Sequence, residues 1–281
     1  MKSSIKCFLL ICLVCMKGEA LFCQNTAEQE ELSISQYDVD EVAEQQKFRH
    51  QVNIGGALSA FKGTDTYVQN YHIGWTAQLS SHWILANEMG LLKGEGQGSL
   101  QFSHKVLYKR DKYGVHLGIR YSNNNLSPSQ STEVGSYHWV GDKVVLTNQL
   151  TRIAFRNTPS LLPLKSTVTW INGRIGWTIG MTQDLSSLSD INPLFHLTAT
   201  YENSRSDVFS LYASLGSFVQ PEFSFQIIDN AAQQIAFGGW FRKKLSTLWV
   251  ISSGWGFTHI SDKQQLNIRS HQLHLSITYK L

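Results

Sequence analysis

An all-β fold, a transmembrane antiparallel β-barrel of about 12 strands with 14 as the alternative count, is predicted by three features of the sequence. From Arg49 onward, apolar side chains recur with a period of two. The alternating segments run about ten residues, and the chain stops on one that is amphipathic to its end.

The clearest alternating segment is Tyr113 to Ser122. Tyr113, Val115, Leu117, Ile119 and Tyr121 share one face, and Gly114, His116, Gly118, Arg120 and Ser122 share the other. Asn70 to Leu79 repeats the design, with Tyr71, Ile73, Trp75, Ala77 and Leu79 against Asn70, His72, Gly74, Thr76 and Gln78. Ile171 to Thr182 reads as a third such strand, setting Ile171, Ile175, Trp177, Ile179 and Met181 against Asn172, Arg174, Thr178 and Thr182. Successive side chains on a strand point to opposite faces, so each segment has one apolar and one polar side.

A soluble antiparallel sheet alternates in the same way, and a secreted β-sandwich is the competing fold. Length favours the barrel: about ten residues cross a bilayer at a tilt, where only a closed barrel satisfies every strand's backbone groups. The apolar faces carry tyrosine and tryptophan near their ends, as interfacial girdles do. The opposite faces hold Gly, Ser, Thr, Asn, Arg and His, which suit a wet lumen better than a sandwich core. Composition agrees, with 16% charged residues against roughly 25% in soluble domains.

The first residues read as an export signal. Lys2 and Lys6 precede the apolar run Cys7–Met16, and Gly18, Glu19 and Ala20 follow. That is the pattern of a secretory signal peptide over residues 1–23, cut after Ala20 or Cys23 and too short to span a bilayer as a helix. Val14 and Phe22, each before a cysteine, argue against a lipoprotein cut. Beyond it, no stretch approaches the ~18 consecutive apolar residues of a membrane helix. All four cysteines (Cys7, Cys12, Cys15, Cys23) lie in or beside the signal, which excludes a disulfide scaffold or thiolate metal site from the rest of the chain. Residues 24–48 carry seven acids against one lysine and little apolar content. Such a segment cannot offset its ordering entropy by burial, so an acidic flexible periplasmic tail is expected, with a short partner-binding peptide as the alternative. The barrel domain is then 49–281.

Connections alternate short and long in the first half. Ser80-Ser81, Asp111-Lys112 and Gly141-Asp142 read as tight turns, and 93–98, 123–133 and 157–164 as longer loops. Short periplasmic turns and longer outer loops are the habit of such barrels. The alternation then breaks: 183–192 is long where a short turn is due, and Ser204-Arg205 is short where a loop is due. Strands at 134–145 and 222–235 separate the two strand counts.

The chain stops at HLSITYKL, with Leu273, Leu275, Ile277, Tyr279 and Leu281 on one face. An ending of aromatic-x-apolar, here Tyr279 and Leu281, resembles the terminal signal read by the barrel-assembly machinery, although Leu281 replaces the usual phenylalanine. The expected partners are that machinery and outer-membrane lipid, with no nucleic acid.

The stretch 210–259 sets a strand ending in Gly216, a short loop, FSFQIIDN and a basic-aromatic FRKKL turn before an alternating strand. With the terminal strand, this layout resembles the closing strands of YaiO-type outer-membrane barrels, over about a quarter of the chain. The resemblance implies a cell-envelope barrel, in some cases associated with surface polysaccharide, and supplies no catalytic residues.

Chemistry is sparse. His274 and Ser276 are spaced like the His-x-Ser of barrel lipid hydrolases, but no Asn-Gly follows and no acid is evident to orient the histidine. They are expected to be two lumen-facing polar residues, and a lipid-modifying enzyme is the remote alternative. His271 and His274 point to opposite faces of a strand, which argues against one shared metal. GEGQG (94–98) lacks the lysine of a phosphate loop. No enzyme activity and no cofactor are expected.

The inward basic residues carry the functional reading. Parity turns Arg120, Arg174 and Arg242 toward the lumen with His72 and His116, and Glu88 is an inward acid. Arg152 shares a face with Val144, Leu146 and Leu150, which makes it a weaker member. Residues 50–281 hold nineteen Lys and Arg against thirteen Asp and Glu, and fixed cations select anions in a pore. The expected function is to pass or anchor an anionic or saccharide ligand at the cell surface. The alternative is a structural or interaction barrel with its lumen closed by paired side chains.

Overall fold

A computed structural model describes residues 50–62, 66–94, 97–123, 129–154, 160–186, 193–216, 233–261 and 267–281. The signal and the acidic tail lie outside the described residues. Fourteen strands form, the higher of the two counts. The first seven are β1 (His50–Lys62), β2 (Thr66–Gln78), β3 (Trp83–Gly94), β4 (Gln97–Lys109), β5 (Tyr113–Ser122), β6 (Gln130–Val140) and β7 (Val144–Ala154). The others are β8 (Pro163–Asn172), β9 (Ile175–Asp184), β10 (Leu194–Glu202), β11 (Val208–Gly216), β12 (Gln233–Lys244), β13 (Trp249–Ser261) and β14 (Asn267–Lys280). Each pairs antiparallel with its sequence neighbours, and β14 closes on β1 over Gln51↔Lys280 to Lys62↔Arg269. Closure leaves no edge strand, the condition for placing a sheet in hydrocarbon. Fourteen strands at about 4.8 Å spacing and a tilt near 40° give a wall about 90 Å around and about 28 Å across.

The expected strand Ile171–Thr182 is corrected to a hairpin. β8 ends at Asn172, β9 starts at Ile175, and these two residues pair across Gly173 and Arg174. Gly173 has φ 61°, the left-handed conformation that a two-residue hairpin assigns to glycine at its first central position. This extra turn restores the alternation that the sequence appeared to break. Connections 79–82, 110–112, 141–143, 173–174, 203–207 and 245–248 all fall at one end, together with His50 and Leu281, whose amide donates to the His50 carbonyl at 2.8 Å. One loop boundary also moves: residues 130–133, expected in a loop, begin β6. The strand expected near 222–235 lies outside the described residues up to 232.

The molecule is apolar outside and polar inside. Mid-wall Leu117 and Ile179 are 63% and 64% exposed on the outer face, an arrangement that water penalises and lipid does not. Near the short-turn end the outer face carries a belt of rings: Trp83 and Tyr108 at 5.0 Å, Tyr108 and Tyr113 at 6.4 Å, Trp249 and Tyr279 at 4.5 Å. Trp170 and Trp177 face each other on β8 and β9. Such amphipathic rings sit at the headgroup level. Among the described residues the inner wall buries hydroxyls and amides, including Ser59, Ser99, Thr169, Ser210, Gln234 and Ser270. Several bond across strands, as in Thr169 with Thr178 at 2.8 Å and Thr200 with Ser210 at 2.7 Å.

Candidate functional site

Strand register decides where each expected site residue points. Arg120 on β5 faces inward, in one cross-strand row with Ser103 of β4 and Glu88 of β3. Two strand spacings, about 10 Å, separate that guanidinium-bearing position from the carboxylate-bearing one. His72 of β2 faces the same lumen and is 4% exposed. His116 lies inward on β5, and Arg242 inward near the short-turn end of β12, opposite Val208 and Ser252. Arg174 departs from expectation. It is in the β8–β9 turn, fully outside the lumen wall and exposed, because the hairpin ends the strand that parity had extended through it. Arg152 is also outside: it pairs with Thr132 in the register that turns Val144, Leu146 and Leu150 outward.

The sequence reading missed the best-connected part of the wall. Lys105 of β4 faces Gly118 and, beyond it, Glu133 of β6. Its Nζ lies 3.0 Å from Glu133 Oε1, and His116 Nε2 is 3.7 Å from the same oxygen. Gln149 of β7 donates from Nε2 to Glu133 Oε2 at 3.0 Å. One carboxylate thus holds a lysine and an amide, with an imidazole beside it, on four adjacent strands. Glu133 was hidden because it closes an Asn/Ser/Pro-rich run that reads as loop. Lys105 was legible in principle, since Phe102, Val106 and Tyr108 fix its parity.

Glycines determine how these side chains lie. On β5 and β6 the pairs are Gly114↔Tyr137, His116↔Gly135 and Gly118↔Glu133, so a glycine faces each large inward residue. A Cβ on Gly118 would meet Glu133 Oε1 at 2.6 Å, and one on Gly135 or Gly114 would collide with the His116 or Tyr137 ring. The three side chains therefore lie flat along the wall, over the space a Cβ would fill. His72 does the same over Gly55, whose Cβ would come within 2.6 Å of the imidazole. Tyr212 of β11 lies across both Gly238 and Gly256.

At the closing seam His72 and His274 stack, with ring centroids 6.1 Å apart and planes inclined by 16°. Ser276 faces inward beside them, opposite Gly55. Among the described residues His274 Nε2 has no hydrogen-bond partner, and no bond joins it to Ser276. Both nitrogens of His72, Asn70 Oδ1 and Gln272 Nε2 are likewise without partners among the described residues. Among the described residues, no three His, Cys, Asp or Glu side chains converge to hold a metal. His271, on the outer face, packs its ring 5.2 Å from Phe257 instead.

No family model matches the chain, and no curated relative matches it. Solved structures match its fold. A TodX deltaS2S3 mutant monoaromatic hydrocarbon channel aligns with TM-score 0.55 and 9% identity, covering 83% of this chain and 90% of that one. A bacterial polysaccharide outer membrane secretin aligns with TM-score 0.52 and 12% identity, over 83% of this chain and 98% of that one. Closed register, an apolar outer face and these likenesses agree: by fold, the chain is an outer-membrane-type β-barrel.

Proposed function

We propose that the barrel is an outer-membrane channel that passes a small anionic or saccharide solute, with the charged inner wall as its selecting surface. The observation that carries this reading is the laying of His72, His116, Glu133, Tyr137 and Tyr212 over glycines of neighbouring strands. That packing keeps bulk on the wall. Eight strands are just filled by their side chains, whereas sixteen leave an aqueous channel; fourteen strands with flattened inward residues belong nearer the second case.

Charge supports the solute class. Register turns Lys105, Lys109, Arg120, Lys165, Arg242, Lys244 and Lys280 inward, against Glu88, Glu133, Asp184 and Glu202. The surplus attracts anions, and the inward amide of Gln101 suits hydroxyl-rich ligands. The YaiO-type layout, with its surface-polysaccharide association, points the same way. Export through residues 1–23 and assembly through Tyr279 and Leu281 complete the reading.

The test is conductance of the purified protein in planar bilayers. A steady current with chloride preferred over potassium is expected. A correctly folded, heat-modifiable protein that gives no current would replace the channel with a closed structural barrel. Release of fatty acid from phospholipid would move the function to His274 and Ser276.

A further inference from the structure

We infer that the outer face of β6 and β7 is a contact surface for a second copy of this chain, joined through a polar level near mid-height. The barrel fold alone supports this, whatever the lumen carries. Among the described strands, β6 and β7 are the one adjacent pair whose outward residues include no Phe, Tyr or Trp. The belt of rings at the short-turn end stops there. It runs through Trp177 and Trp170, but Trp170 then pairs with Val144, and Val144 with Val140. Rings resume at Tyr113 of β5, beside Tyr108. Such a belt anchors a barrel against lipid headgroups, and it has no use where protein takes the place of lipid.

Further up the same face lies the polar level. Ser136 pairs with Asn148, and Asn148 with Ser166 of β8, all on the outer side. Asn148 stands four residues from Val144, and Ser166 four from Trp170. At about 3.3 Å per residue and a tilt near 40°, that is about 10 Å inside the belt, in an apolar band about 25 Å tall. Ser166 Oγ donates to Asn148 Oδ1 at 2.8 Å. Asn148 is exposed, and neither its Nδ2 nor Ser136 Oγ bonds another described residue. Hydrocarbon offers such groups no donor or acceptor. A second copy offers both, at the right height. Two copies inserted the same way are related by an axis along the membrane normal, so each level meets its own equivalent. Asn148 and Ser136 then face amide and hydroxyl, while Val134 and Leu150 on one side and Leu146 on the other meet apolar side chains. The other outward polar pair at this height is closed on itself, with His104 Nδ1 and Asn87 Oδ1 2.7 Å apart. It also lies on strands that carry rings, Trp83, Phe102 and Tyr108.

The experiment uses the full chain in phosphatidylcholine vesicles at a high lipid-to-protein ratio. No cysteine follows Cys23, so a background of Cys7→Ser, Cys12→Ser, Cys15→Ser and Cys23→Ser lets one added thiol report on its own neighbours. Leu146→Cys places it on the proposed face, and Leu275→Cys places it on β14, at the opposite side of the barrel. Both positions are outward and exposed. Under copper phenanthroline, two thiols give two electrons to the oxidant and two protons to solvent, and one disulfide joins two copies. Leu146→Cys should give a dimer on non-reducing gels and Leu275→Cys a monomer. Adding Asn148→Leu to the Leu146→Cys chain should lower the dimer yield at least about threefold, the ordinary worth of one hydrogen bond between membrane segments, with heat-modifiable migration kept. Ser136→Ala repeats the measurement with a smaller change and decides alone if Asn148→Leu does not fold. Equal yields from the two cysteines would mean random collision and overturn the inference, as would a folded Leu146→Cys chain that gives no dimer. A yield indifferent to both Asn148→Leu and Ser136→Ala would overturn the polar level as what joins the copies.

Discussion

Glu133 is the side chain on which the lumen wall turns. It bonds Lys105 and Gln149 and sits beside His116, and it does so because Gly118 has no Cβ to push it away. The ion pair is only about one-fifth exposed, 17% and 22% for its two members. Replacing Glu133 by Gln keeps the shape but leaves Lys105 without its counter-charge and turns an amide N–H toward one of the two donors, so the stability cost should be about 3–5 kcal/mol and a smaller fraction of the barrel should assemble. Chloride preference should rise, because a cation loses its counter-charge; an unchanged reversal potential would remove Glu133 from the selecting surface. The glycines make a second forecast. Gly135→Ala meets only the far end of the His116 side chain, which can swing into the lumen, so assembly should survive and single-channel conductance should drop. Gly238→Ala meets the Trp255 carbonyl oxygen as well as the Tyr212 ring. Backbone cannot swing aside, and overpacking of this kind costs about 1–3 kcal/mol, so this variant should show a reduced heat-modifiable fraction in gels. Equal behaviour of the two variants would mean that inward bulk does not govern the lumen.

Elements were legible where their period was clean. β5 matches its sequence reading residue for residue, since Tyr113–Ser122 alternates without exception and a one-residue slip would turn every apolar group inward. The site was less legible, for two reasons. Parity carries a side chain's direction only as far as the strand runs, so reading through Asn172-Gly173 took Arg174 into the lumen from a turn. Contacts between strands are invisible to period altogether, which is why Lys105 and Glu133, 28 residues apart in sequence, were not brought together. The hairpin itself is testable. Gly173→Val places a β-branched residue at φ 61°, a conformation that costs about 1–2 kcal/mol, and it should slow acquisition of the heat-modifiable form without altering the final conductance. The seam should tolerate less. Removing residues 279–281 deletes the pairs Val52↔Tyr279 and Trp249↔Tyr279 and the Leu281–His50 bond. That exposes backbone groups where each costs several kcal/mol in hydrocarbon. Export should continue and assembly should fail; normal gel migration of the truncated protein would place closure elsewhere.

At the scale of the whole molecule the question is whether selectivity belongs to the lumen charge or to the rims. Seven inward cations face four inward acids by register, a surplus of three. Arg120 and Arg242 sit at different heights on opposite parts of the wall, so reversing both to glutamate samples the full path of an ion. Two reversals remove four charges and turn the surplus into a deficit of one. A fixed-charge pore responds to that sign, so the zero-current potential across a salt gradient should move from the chloride side to the potassium side. Inward charge is tolerated by a wet lumen, whereas an outward charge would cost roughly 2–4 kcal/mol at the midplane, so the double variant should still assemble. Arg174→Glu is the discriminating control. It carries the same charge change, but in a turn outside the lumen, where about 8–10 Å of screening at ordinary ionic strength isolates it from the ion path. A double variant that shifts the potential while Arg174→Glu leaves it unchanged locates selection in the lumen. The opposite pattern would locate it at the short-turn rim and leave Arg120 and Arg242 as wall charges without a role in permeation.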